Sequence, residues 1–101
     1  MKRIIHAFDW DNSNIKKCQK HGVGTQEIEF LFKNNPSVSP DIKHSDAEIR
    51  YFAVGTNKIG RYIFLVFTYR VRNQENYIRP ISARYMHKKE INNYINYEKD
   101  K

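Results

Sequence analysis

With 101 residues the chain has room for one domain, residues 1–101, whose core buries about two thirds of the unfolded surface, and none for a second. Its 40% hydrophobic and 14% aromatic content excludes a disordered polyelectrolyte, and its +7 charge is lopsided: residues 1–57 hold eight Lys/Arg against seven Asp/Glu, residues 58–101 ten against four. A single cysteine, Cys18, excludes an internal disulfide and suits a reducing cytoplasm, no apolar run approaches the ~18 residues of a membrane span, and His6 and Asp9 break the start before it reaches secretion-signal length.

The alternation from Ile4 to Trp10 predicts a short strand that ends at Asp11. Asp11 or Ser13 is placed to cap a helix over about 12–20, with Gly22 as the residue after its end. A second helix is expected over 25–33, with Ile28, Leu31 and Phe32 facing the core, Gly24 at its N-cap and Glu27 in its first turn, where the helix dipole favours a carboxylate. Asn34-Asn35-Pro36 stops it, and residues 36–46 read as a loop. Three strands follow over 48–56, 61–69 and 77–84, the first two joined by the hairpin turn Asn57-Lys58-Ile59-Gly60 and the last two by the polar segment 72–75. The run Ile63-Phe64-Leu65-Val66-Phe67 suits a central strand covered on both faces, while Pro80, which cannot donate to a ladder, marks an edge or a bulge. A third helix is expected over 86–98, with Ile91, Tyr94, Ile95 and Glu98 on one face. The order β-α-α-β-β-β-α gives an α+β fold with a mostly antiparallel four-stranded sheet and packed helices.

Chemistry concentrates where the last strand meets the last helix. The basic C-terminal half interleaves cations with tyrosines and phenylalanines, a composition that neutralises phosphates and stacks on unpaired bases; solubilising a sheet is the plainer alternative. Arg79 and Arg84 are an odd number of positions apart, so a regular pleat aims them at opposite faces and a bulge at Pro80 brings them together. Either guanidinium suits a phosphate or a surface ion pair. His87 and Glu90, three apart at a helix start, suit proton transfer or a plain surface pairing with Lys88 and Lys89. Tyr94 lies one turn further and suits RNA contact or core packing. Cys18 and His21 are too few for a metal site, and the four glycines carry no phosphate-loop or cofactor fingerprint, so neither metal nor cofactor is expected.

In this order the residues resemble the BrnT toxins of bacterial type II toxin-antitoxin systems over nearly the whole chain. The resemblance rests on Phe8-Asp9-Trp10-Asp11, Asn14 and Lys20-His21-Gly22-Val23; on His44-Ser45, Glu48, Arg50 and Gly55; and on Gly60-Arg61, Phe67-Thr68 and Ile81-Ser82-Ala83-Arg84 with Glu90 and Tyr94. Gly24, where a Ser or Thr often caps, Pro80, where an aliphatic residue is commoner, and a longer turn over 72–76 depart from the pattern. The resemblance implies a RelE-like fold, a ribonuclease that halts translation, and a ribbon-helix-helix antitoxin of the BrnA type that links the pair to operator DNA. Arg61, Arg79, Arg84, Glu90 and Tyr94 stand where that family has matching types.

Together these readings give a metal-independent endoribonuclease in which the 2′-hydroxyl attacks the adjacent phosphate. Arg84, with Arg79 or Arg61, would stabilise the transition state, His87 and Glu90 would move protons, and Tyr94, Lys88 and Lys89 would position RNA. The geometric expectation is that the arginines of the last strand and the final helix converge on one concave surface. A non-catalytic RNA- or DNA-binding module and a pure antitoxin-binding protein remain the alternatives.

Overall fold

A computed structural model describes residues 4–44 and 47–100; the expectations for Met1 to Arg3 and for Ser45 lie outside the described residues. The elements run β1 (Ile5–Phe8), α1 (Asn12–Gln19), α2 (Thr25–Lys33), β2 (Ser37–Pro40), a 3-10 turn (Ile42–His44), β3 (Tyr51–Thr56), β4 (Tyr62–Arg72), β5 (Glu75–Tyr85) and α3 (Lys88–Lys99). The α+β class holds, but among the described residues the sheet has five strands where four were expected, in the order β1-β5-β4-β3-β2. Strand β2 forms inside the segment that reads as a loop, because pairing with β3 orders it: Ser37 to Pro40 lie opposite Val54 to Tyr51. A short polar strand ending in proline is tolerated only at an edge, and its local composition carries no strand signal. Strand β1 is the other edge and runs parallel to β5, which makes the sheet mixed.

Local chemistry explains the helix ends. The Asp11 side chain accepts from the Ser13 and Asn14 N–H groups at 2.9 and 3.1 Å while Asn14 Oδ1 accepts the Asp11 N–H at 2.8 Å, a reciprocal cap for α1. Gly24 has no side chain to cap α2, but Glu27 accepts its N–H at 2.8 Å. Between β4 and β5 the turn is two residues, Asn73 and Gln74, both at positive φ, so the strands run closer to the turn than their sequence suggests.

Helices α1 and α2 cover one face of the sheet. There Cys18, Val23, Ile28 and Leu31 meet Ala53, Ile63, Leu65, Phe67, Ile78 and Ala83 in one buried cluster. A methyl at Gly55 would meet Leu31 at 2.9 Å, so glycine is what lets α2 approach β3. The opposite face differs from expectation: Phe64 and Val66 alternate with the buried residues of β4 and are only half-buried. Helix α3 lies at one end of that face, with Ile91, Tyr94, Ile95 and Glu98 half-buried as its periodicity predicts, and no residue of it is fully buried. The apolar run of β4 therefore leaves part of its second face open.

Candidate functional site

Strand β5 lies between β1 and β4, so Pro80 sits inside the sheet and the ladder yields around it. Val66 pairs with Ser82 but Phe67 pairs with Pro80, which leaves Ile81 as an extra residue. One inserted residue inverts the alternation. Arg79, opposite Thr68, and Arg84, opposite Phe64, thereby share the open face, as the bulge alternative required. The buried amide of Asn14 fixes this irregularity, since its Nδ2 donates to the carbonyls of Pro80 at 2.9 Å and Asp9 at 2.8 Å.

The two arginines lie at opposite ends of that face, roughly 13 Å apart at ~3.3 Å per residue. Arg84 lies over the Phe64 ring at 4.9 Å and meets Glu90 with two parallel hydrogen bonds of 2.8 Å each. Glu90 is the third residue of α3, and its Oε1 also accepts the His87 backbone N–H at 2.9 Å. Arg84 first and then the His87 N–H hold the Glu90 carboxyl down at about 2, while Glu90 raises the Arg84 guanidinium. Glu90 therefore stays ionised and accepts the main-chain N–H of His87, with the exposed imidazole near enough to act on its charge. Lys88 and Lys89 are exposed in the first turn beside it. A guanidinium has five N–H donors, and Glu90 engages two of those of Arg84.

At the far end, Arg79 is 16% exposed and tied to carboxylates: Nη2 is 2.9 Å from Asp11 and Nη1 is 3.6 Å from Asp9, which also binds Arg72 at 3.1 Å. The Asn14 N–H and then Arg79 keep Asp11 below its ordinary range against an opposing effect of burial. Arg79 thus locks β5 to the β1–α1 junction. Arg61 does not join the other arginines. It stacks on the Tyr85 ring at 3.6 Å, on the α1–α2 face, where the Tyr85 hydroxyl donates to Glu27 at 2.7 Å. Burial pushes Glu27 up, but the Gly24 N–H, the Asn57 amide, Tyr85 and the Arg61 charge bring it below its usual value. Arg61 lies on the other face from Arg84 because it shares the pleat of Ile63 and Leu65, which faces the core, so of the two alternatives beside Arg84 it is Arg79 that shares its face. Tyr94 packs edge-on against Tyr62 at 6.0 Å, and burial raises its hydroxyl pKa.

A family model described as the ribonuclease toxin BrnT of type II toxin-antitoxin systems matches residues 10–90. The chain belongs to the BrnT family. No curated protein sequence matches it. The region shared with BrnT toxins contains Arg61, Arg79, Arg84, His87, Lys88, Lys89 and Glu90 and stops short of Tyr94. The site also uses residues to which sequence reasoning assigned no site role, among them Asp9, just outside the matched region. Asp9 and Asp11 hold Arg79, and the aspartate spacing at the end of β1 was their only local sign. Phe52 meets Phe64 at 5.0 Å on the open face, and the β3 alternation already set it opposite Ala53. For this BrnT-family chain the open face thus combines an aromatic floor with a cationic corner at Arg84, Lys88 and Lys89, while Cys18 is buried and His21 exposed, so that pair offers no joint ligand set.

Proposed function

We propose that this chain is a metal-independent endoribonuclease toxin that cleaves RNA, inhibits translation in the cytoplasm and is neutralised by a cognate ribbon-helix-helix antitoxin of the BrnA type. Membership in a family of ribonuclease toxins carries the reading, and the half-covered face of the sheet supports it. A single RNA strand lies across that face. Its bases stack on Phe64 and Phe52, and its phosphates engage Arg84 and the charges of Lys88 and Lys89. The 2′-hydroxyl attacks the adjacent phosphorus and the 5′-oxygen leaves, giving a 2′,3′-cyclic phosphate. Glu90, held ionised at about 2, is too weak a base to drive this step near neutrality and serves to orient Arg84. His87 stands at the corner where it can exchange protons with bound RNA.

Incubating the purified chain with single-stranded RNA in excess EDTA tests the reading. Fragments ending in a 2′,3′-cyclic phosphate are expected, and Arg84→Ala should lower kcat/KM by at least about tenfold, the loss of one charge-assisted contact. Intact RNA at high protein concentration, or cleavage that stops when EDTA is added, would overturn it.

A further inference from the structure

A second cluster lies on the same face of the sheet, at the end away from α3. Asp41 directly follows β2, ahead of the 3-10 turn, and is buried, at 5% exposure. Its two oxygens lie 3.0 and 3.2 Å from Nδ1 of His44, and Oδ1 also accepts the His44 backbone N–H at 3.3 Å. Because a carboxylate only accepts, the ring nitrogen facing Asp41 is the one that carries a proton, and in the neutral ring that leaves the lone pair on Nε2. The His44 side chain is 63% exposed. It borders a cavity of about 420 Å³ lined by Ala47, Glu48, Arg50 and Arg70 as well. Arg70 lies opposite Tyr77, two residues beyond Thr68 on the open-face side of β4, and Arg50 directly precedes β3, on the pleat of Phe52. Glu48 faces Arg70 at 3.4 Å.

The other histidines lack this arrangement. Glu90 is bound bidentately by Arg84 and accepts the main-chain N–H of His87, at an exposed helix start. His6 pairs with Glu75, where both side chains are largely in water. His21 is exposed at the end of α1. A histidine whose ring is held by a buried carboxylate and that borders a cleft with two arginines, Arg50 and Arg70, beside Glu48, is what a proton-transfer centre acting on a phosphodiester requires.

From this we infer that His44 is a catalytic acid–base residue of the cleavage reaction, that Asp41 positions it, and that Arg50 and Arg70 hold the reacting phosphate. The inference rests on the ribonuclease reading. It places the scissile linkage at the His44 end and gives Arg84, Lys88 and Lys89, roughly 20 Å away along β4 at ~3.3 Å per residue, phosphates several nucleotides further along the same strand. Nε2 of His44 takes the proton of the 2′-hydroxyl as the 2′-oxygen–phosphorus bond forms. The phosphorus–5′-oxygen bond breaks, the 5′-oxygen takes one proton from solvent water, and His44 returns its own to solvent, so no proton or electron is gained or lost overall.

The test compares the parent chain with His44→Ala in single-turnover cleavage of an RNA oligonucleotide, with RNA affinity and melting temperature measured in parallel. His44→Ala is expected to cleave about a hundred to ten thousand times more slowly, the usual range for a lost acid–base group, with affinity and melting temperature nearly unchanged and with part of the rate restored by added imidazole. Asp41→Asn, which offers an amide donor where the carboxylate accepts, is expected to lower kcat with KM unchanged. A His44→Ala rate within threefold of the parent, or a loss that imidazole does not restore, overturns the assignment of His44. An Asp41→Asn variant that changes KM alone overturns the role of Asp41. Absence of cleavage by the parent chain is a separate result and overturns the ribonuclease reading on which both rest.

Discussion

At the scale of single residues, Glu90 has the clearest physical signature. The Arg84 guanidinium and the His87 N–H bind its charged form and hold it at about 2, below the ordinary 4.5. A carboxyl depressed on folding contributes stability that is complete above its unfolded value and fades as pH falls through its folded one. The docking of α3 is therefore expected to loosen between about pH 4.5 and 2. Contacts between the Tyr62 and Tyr94 rings, followed by NMR during acid titration, should disappear across that interval. Contacts that persist unchanged to pH 2 would contradict the role given to this ion pair. Arg84 and Glu90 could be singled out from sequence because a strand-to-helix junction keeps them six positions apart. Arg79 could be singled out too, but its carboxylate partners lie about seventy positions earlier, and no local pattern announces a contact of that range.

At the scale of elements, the bulge in β5 decides which side chains reach the open face. Sequence limited Pro80 to an edge or a bulge, because a missing N–H leaves no other choice in a sheet. What could not be read is that Asn14, on a helix near the start of the chain, would hold the displaced carbonyl. Asn14→Ala leaves the Asp9 and Pro80 carbonyls without their donor in a buried site and should cost about 1–3 kcal/mol. Urea denaturation measures this directly, and a change below about 0.5 kcal/mol would show that the bulge holds without the amide. The helices were legible because their caps and 3.6-residue periodicity are written locally. Strand β2 was not, since Ser37 to Pro40 take their conformation from β3, and the parallel pairing of β1 with β5 was hidden because a strand's pattern does not name its partner.

At the scale of the whole molecule, charge and topology coincide. The basic segment 58–101 supplies β4 and β5, two adjacent central strands, and α3 at the end of the open face. The Arg84 corner, Phe52 and Phe64, and the arginines near His44 therefore share one surface, while Arg61 and Tyr85 face the helical layer. The charge asymmetry was visible in sequence, but its assignment to one face was not, because it depends on the bulge and on how little of that face α3 covers. The decisive measurement is an NMR titration of the isotope-labelled chain with a single-stranded RNA whose 2′-hydroxyls are methylated to prevent cleavage. Shifts are expected at Phe52, Phe64, Ser82 and Arg84 and not at Arg61 and Tyr85. Shifts centred on Arg61 and Tyr85, or none at saturating RNA, would contradict the placement of RNA on the open face.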